Sequence, residues 1–134
     1  MPKVPPEGMS QVIPYLYYAD VPKAADWLVR VFGFEKIMVV PSGNGRHHGE
    51  VRFGAGVVMM GTADKTLFGS TAPSQADTRT SGVFVYLEDV DGHCSRAKAA
   101  GAEIVQDLSN QDYGRTYWAR DLEGHDWFFT RPPG

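Results

Sequence analysis

The chain has 134 residues, 43% hydrophobic and 22% charged, which suits one compact domain and excludes wholesale disorder. Its formal net charge is −3, and no basic block exceeds Arg46-His47-His48; nucleic acid is thereby excluded as the main partner, because phosphate binding needs clustered Lys and Arg. The single cysteine, Cys94, rules out an intrachain disulfide and a thiolate zinc cluster, and no run of about 18 apolar residues offers a membrane span.

The start, MPKVPPEGMS, lacks the apolar run of a secretory leader, so the expectation is a cytoplasmic protein. Ile13 to Tyr18 is rich in strand formers. Asp20 is suited to cap a helix, and Pro22 is tolerated in a first turn whose amides lack partners. Val21, Ala24, Ala25, Leu28, Val31 and Phe32 form an apolar stripe at helical spacing that ends at Gly33. Strands are predicted over 35–40, 47–53 and 57–60, joined by turns at 41–45 and 54–56. The stretch 62–80 is polar and reads as a linker or flap.

From Ser81 the order of signals repeats: a strand over 82–87, the cap Asp89, and a helical stripe of Val90, Cys94, Ala97 and Ala100 ended by Gly101. Strands then follow over 103–106, 115–120 and 126–130. On this phase His93 faces solvent, Cys94 is a small core residue, and His125 orders its turn. Each half is a βαβββ unit of about 50 residues, too small to stand alone, so the halves are expected to share a core.

Paired units carrying ADVPKAADWLVRVFGF, LEDVDGHCSRAKAAGAEIV and YWARDLEGHDWFF resemble the vicinal oxygen chelate superfamily over residues 10–131. That group includes glyoxalase I, extradiol dioxygenases, fosfomycin-modifying enzymes and bleomycin-resistance proteins. The resemblance implies an α+β fold in a single domain, 1–134. Modules 10–61 and 81–131, joined by the linker 62–80, would form a cup-shaped, curled mixed sheet with helices packed outside, often in a homodimer. It also implies four metal-ligand positions, which fall here on Ile13, Met60, Gly82 and Phe128. None carries an oxygen or nitrogen in its side chain, and the thioether of Met60 is too soft for a hard divalent ion. Neither a metal nor another cofactor is therefore expected, and the type approached is the metal-free bleomycin-resistance binding protein.

Other residues carry the candidate site. Strand alternation puts Tyr15 and Tyr17 on the cup side of the first strand, with Phe84, Tyr86 and Phe128 on that side of the second module. Trp118 is a further ring of less certain phase. Tyr113 and Arg115 flank Gly114 at the rim, with Arg115 open to pairing with Asp112 instead. Met60 lies in the cup floor on this count. His48, Glu50 and Arg52 share one strand face, so His48 and Glu50 are either pocket contacts or a plain polar pair, with an Arg52–Glu50 salt bridge the simplest alternative. The implied ligand is a small planar, partly hydrophobic molecule of antibiotic or natural-product type, sequestered by stacking and a few hydrogen bonds. The competing reading is a metal-dependent glyoxalase- or dioxygenase-like lyase, isomerase or oxygenase with a displaced site around His48 and Glu50.

Overall fold

The computed structural model describes residues 3–134. The first module runs β1 (Tyr15–Tyr18), α1 (Val21–Phe32), β2 (Glu35–Gly43), β3 (Arg46–Phe53) and β4 (Gly56–Thr62). Two short helices, α2 (Lys65–Phe68) and α3 (Pro73–Ala76), occupy the linking stretch. The second module is β5 (Gly82–Tyr86), α4 (Val90–Ala99), β6 (Glu103–Gln111), β7 (Gly114–Arg120) and β8 (Asp126–Arg131). No helix is long and apolar enough to cross a membrane among the described residues.

Local chemistry sets these bounds. The Asp20 carboxylate accepts from the Lys23 amide at 3.1 Å, and Gly33 ends α1 at φ 79°. Asp89 repeats the cap by accepting from the Gly92 amide at 3.0 Å. β1 begins at Tyr15 rather than Ile13. β2 extends to Gly43, so the hairpin turn shrinks to Asn44-Gly45, with both residues at positive φ. β6 likewise extends to Gln111, which pairs with Gly114, leaving only Asp112-Tyr113 as a turn.

The architecture is α+β: two four-stranded mixed sheets, ordered β1-β4-β3-β2 and β5-β8-β7-β6, neither of them closed. In each, the first strand runs parallel to the last and the other neighbours are antiparallel. One face of each sheet packs into a core common to both modules. Phe32 of α1 meets Phe129 of β8 edge-on at 4.9 Å, and Phe34 meets Trp127 at 5.3 Å.

His93 departs from its expected place on the solvent side. It is only 5% exposed, with Nε2 2.7 Å from the Phe32 carbonyl and Nδ1 2.6 Å from the Tyr117 hydroxyl. The buried positions Val90, His93, Cys94 and Ala97 are i, i+3, i+4 and i+7, one helical face. Polarity had hidden His93 from a stripe that its phase includes.

The candidate ligand-binding faces

In the first module the face turned away from the core carries Tyr15 and Tyr17 on β1. Tyr15 lies opposite Met59, and Tyr17 lies opposite Gly61. On β3, Glu50 sits between Met59 and Met38, and His48 between Gly61 and Val40. Gly61 is what lets Tyr15 lie across β4, since a Cβ there would come within 2.6 Å of the phenol oxygen. The Tyr15 hydroxyl reaches His48 Nδ1 at 3.3 Å, and His48 Nε2 reaches Glu50 Oε2 at 2.9 Å. A carboxylate can only accept, so His48 donates through Nε2, and Tyr15 donates to the Nδ1 lone pair. Burial, with Tyr17 and Glu50 nearby, raises the Tyr15 pKa and keeps the phenol a donor. Glu50 is therefore committed to His48, and the anticipated Arg52–Glu50 bridge does not form among the described residues.

Met60 is not in this face. It is fully buried on the core side, where a Cβ on Gly49 would meet both Val21 and the Met60 sulfur. The β3–β4 turn is only Gly54-Ala55, because Phe53 pairs directly with Gly56. Counting from Gly56 therefore overshoots by one residue. Met59, opposite Tyr15, is the structural counterpart of Phe128, which lies opposite Phe84.

The second module shows an aromatic face. Trp118 stacks on Phe128 at 5.3 Å and 29°, and Phe84 stacks on Phe128 at 6.4 Å and 20°. Tyr86 and Tyr113 stand 5.1 and 6.3 Å from Phe84. A Cβ on Gly82 would fall 2.9 Å from the Phe128 ring, so this ring fills the space of any side chain at that implied ligand position. Asp126 was not anticipated. It accepts from Trp118 Nε1 and Arg120 Nε through one oxygen and from Arg79 Nε through the other, at 3.0, 3.2 and 3.0 Å. Its place two residues before Phe128 was the available signal.

Arg115 is not part of the face. Its Nε donates to Asp91 of α4 at 2.7 Å and its Nη1 to Asn110 at 3.1 Å, and Asp112 is not its partner. The phase of β7 explains this: Trp118 and Arg120 look outward, while Arg115, Tyr117 and Ala119 turn toward the helix.

The residues do not fit the metal that the fold family implies. Ile13, Met59 or Met60, Gly82 and Phe128 offer no hard donor. His48 and Glu50 are bonded to each other, and no cluster of three His, Cys, Asp or Glu suited to a metal occurs among the described residues.

A cavity of about 590 Å³ opens on the first module between Tyr15, Tyr17, Gly61, Arg46 and Phe68. Arg46 Nη1 donates to Asp64 at 3.2 Å, and the guanidinium lies 5.3 Å from the Phe68 ring centre. Asp64 also caps α2 by accepting from the Leu67 amide at 2.8 Å. Arg46 and Phe68 were missed as site residues. Arg46 shares the strand phase of His48, and Phe68 is a large ring in an otherwise polar linker.

The profile described as Glyoxalase/Bleomycin resistance protein/Dioxygenase superfamily matches residues 9–129. An uncharacterized protein of Mycobacterium bovis is 28% identical over 123 residues, covering 89% of this chain and 81% of that protein. TioX from Micromonospora sp. ML1 superposes with a TM-score of 0.74 at 39% identity, over 92% of this chain and 99% of that one. FosX, a fosfomycin resistance protein from Listeria monocytogenes crystallised with Mn(II) and sulfate, gives 0.67 at 17% identity over 92% and 90%, a likeness of fold alone. Signature, topology and these matches agree: the chain belongs to the glyoxalase/bleomycin resistance protein/dioxygenase superfamily.

Proposed function

We propose that this chain is a cytoplasmic, metal-free binding protein that sequesters a planar, partly hydrophobic small molecule of antibiotic or natural-product type. The observation that carries the reading is Phe128. Its ring stands where a carboxylate would serve a metal and also fills the space beside Gly82, the second implied ligand position of that module. Trp118, Phe84, Tyr86 and Tyr113 extend it into a stacking surface. Flat rings on such a surface gain apolar burial plus about 0.5–1.5 kcal/mol per stacked pair.

The expected result is quenching of Trp118 fluorescence when metal-stripped protein is titrated with fused-ring natural products, metal-free bleomycin included. Phe128→Ala should weaken binding about tenfold, a loss of roughly 1.4 kcal/mol. A stoichiometric, tightly held divalent ion in the purified protein would sink the proposal.

The partner proposed for these faces is a second copy of the chain. Tyr15, Tyr17, Met38 and Val40 on one sheet and Phe84 and Tyr86 on the other are all more than a third exposed. Clustered open rings and aliphatic side chains of this kind mark surfaces that another molecule covers. Sedimentation equilibrium should give twice the 14.8 kDa chain mass, and Tyr86→Glu should return the monomer. A monomeric wild type at tens of micromolar would refute the pairing.

A further inference from the structure

We propose that the first-module cavity takes a planar acid, its ring held between the tyrosines and Phe68 and its anionic group held by Arg46. This deepens the planar-ligand reading and rests on it. The lining residues carry the argument. Tyr15 and Tyr17 form one apolar wall, and Phe68, 63% exposed on α2, forms another. Of the remaining side chains, Ser42, Arg46 and His47 are able to donate a hydrogen bond to a ligand, while the Thr62 hydroxyl is engaged by the His47 backbone. No carboxylate is among the lining residues. Beyond the Asp64 carboxylate already held by Arg46 Nη1, a cavity furnished with donors favours a ligand rich in acceptors, whatever the sign of the chain's net charge.

Arg46 is prepared for this role by what it already touches. Asp64 engages Nη1 alone, so the other four N–H donors of the guanidinium make no hydrogen bond within the protein among the described residues. Asp64 is itself fixed, with its second oxygen capping α2. The same carboxylate thus orients the arginine and anchors the helix that carries Phe68. The guanidinium carbon lies 5.3 Å from the Phe68 ring centre, and a guanidinium with free N–H groups can engage a carboxylate through two parallel hydrogen bonds. Gly61 completes the site, because any side chain there would push the Tyr15 ring off the strand that supports it.

The test compares three probes with the same naphthalene ring by isothermal titration calorimetry at neutral pH: β-naphthoate, the neutral β-naphthamide, and the cationic β-naphthylmethylamine. Wild-type protein should bind the naphthoate at least about tenfold more tightly than the amide, as expected for charge-assisted hydrogen bonds, and the amine most weakly. Arg46→Gln should remove the preference between naphthoate and amide. Phe68→Ala should weaken both alike and leave their ratio unchanged. Equal affinity of wild type for naphthoate and amide, or a preference for the amine, overturns the planar-acid assignment while leaving a planar-ligand protein. If no naphthalene probe binds, the assignment falls together with the reading beneath it. The wild-type comparison stands whether or not Arg46→Gln folds.

Discussion

Replacing Asp121 with alanine is expected to destabilise the protein by about 3–5 kcal/mol, since it strands several buried donors at once. Asp121 is 6% exposed. One oxygen accepts from the Tyr18 hydroxyl at 2.6 Å and from the Trp127 indole at 2.9 Å; the other accepts from the amides of Glu123 and His125 at 3.1 and 3.0 Å. Tyr18 and Trp127 have no exposed surface, so water cannot replace the lost acceptor. Burial, with the Asp121 charge, holds the Tyr18 pKa well above its ordinary value, and the phenol remains the donor. The bond joins β1 of one module to the turn before β8 of the other. Urea unfolding should show Asp121→Ala costing less in a Tyr18→Phe background, by about 1–3 kcal/mol of coupling. A loss under about 1 kcal/mol for the single change would mean that the turn relaxes to let water in.

The same turn explains why RDLEGHDWFFT keeps its form with Phe128 at the implied ligand position. Glu123 accepts the Ala19 and Asp20 amides at 2.5 and 2.9 Å, just where α1 begins. Asp121 and Glu123 thus fasten one module to the next. A signature read as the frame of a ligand position is here also a structural clasp. Its charged residues have that use whether Phe128 or a glutamate follows.

Much of the fold was legible because each boundary has a local cause. The caps Asp20 and Asp89 and the stop at Gly33 need only neighbouring residues to act, and the repeated order of strand, cap, stripe and glycine marked two modules. Strand ends were less legible. β2 and β6 run on through Ser42 and Asn110, residues whose usual preference for turns is overridden by pairing with a neighbour strand.

The site was legible where alternation alone fixed the face. Tyr15, Tyr17, His48, Glu50, Phe84, Tyr86 and Phe128 lie on the outward faces as read. It failed where phase had to be carried across a turn of unknown length. The two-residue turn before β4 moved Met60 inward, and the two-residue turn at Asp112-Tyr113 set the β7 phase that puts Arg115 on the helix side. The linker's contribution, Phe68 against Arg46, is a contact between elements that no periodicity encodes. Asp126 was passed over because its three donors, Arg79 before β5 and Trp118 and Arg120 on β7, reach it from outside its own strand.

His93 gives the second large effect, and its sign follows from its hydrogen bonds. The Phe32 carbonyl can only accept, so Nε2 carries a hydrogen, and Nδ1 accepts from the Tyr117 hydroxyl. Burial keeps the Tyr117 phenol protonated by raising its pKa. Around the imidazole stand Phe129 at 4.3 Å and Phe53 at 5.8 Å, a setting that penalises a charged ring. Desolvation accordingly lowers the His93 pKa from its ordinary 6.5. The unfolded chain then binds this proton more readily than the folded one. The stability due to neutral His93 is fully present above the unfolded pKa of 6.5 and is lost as pH falls from there toward the lowered folded value. Within that window one proton can cost at most about 1.4 kcal/mol per pH unit. His93→Gln removes the ionisable group. It should cost about 1–3 kcal/mol near neutral pH by disturbing the buried bonds, yet flatten the acid side of the profile. Urea unfolding of both proteins from slightly alkaline to mildly acidic pH isolates the effect, because His47, His48 and His125 are common to both. Parallel profiles for wild type and variant would show that the core accepts the proton without penalty and would remove His93 as the source of acid sensitivity.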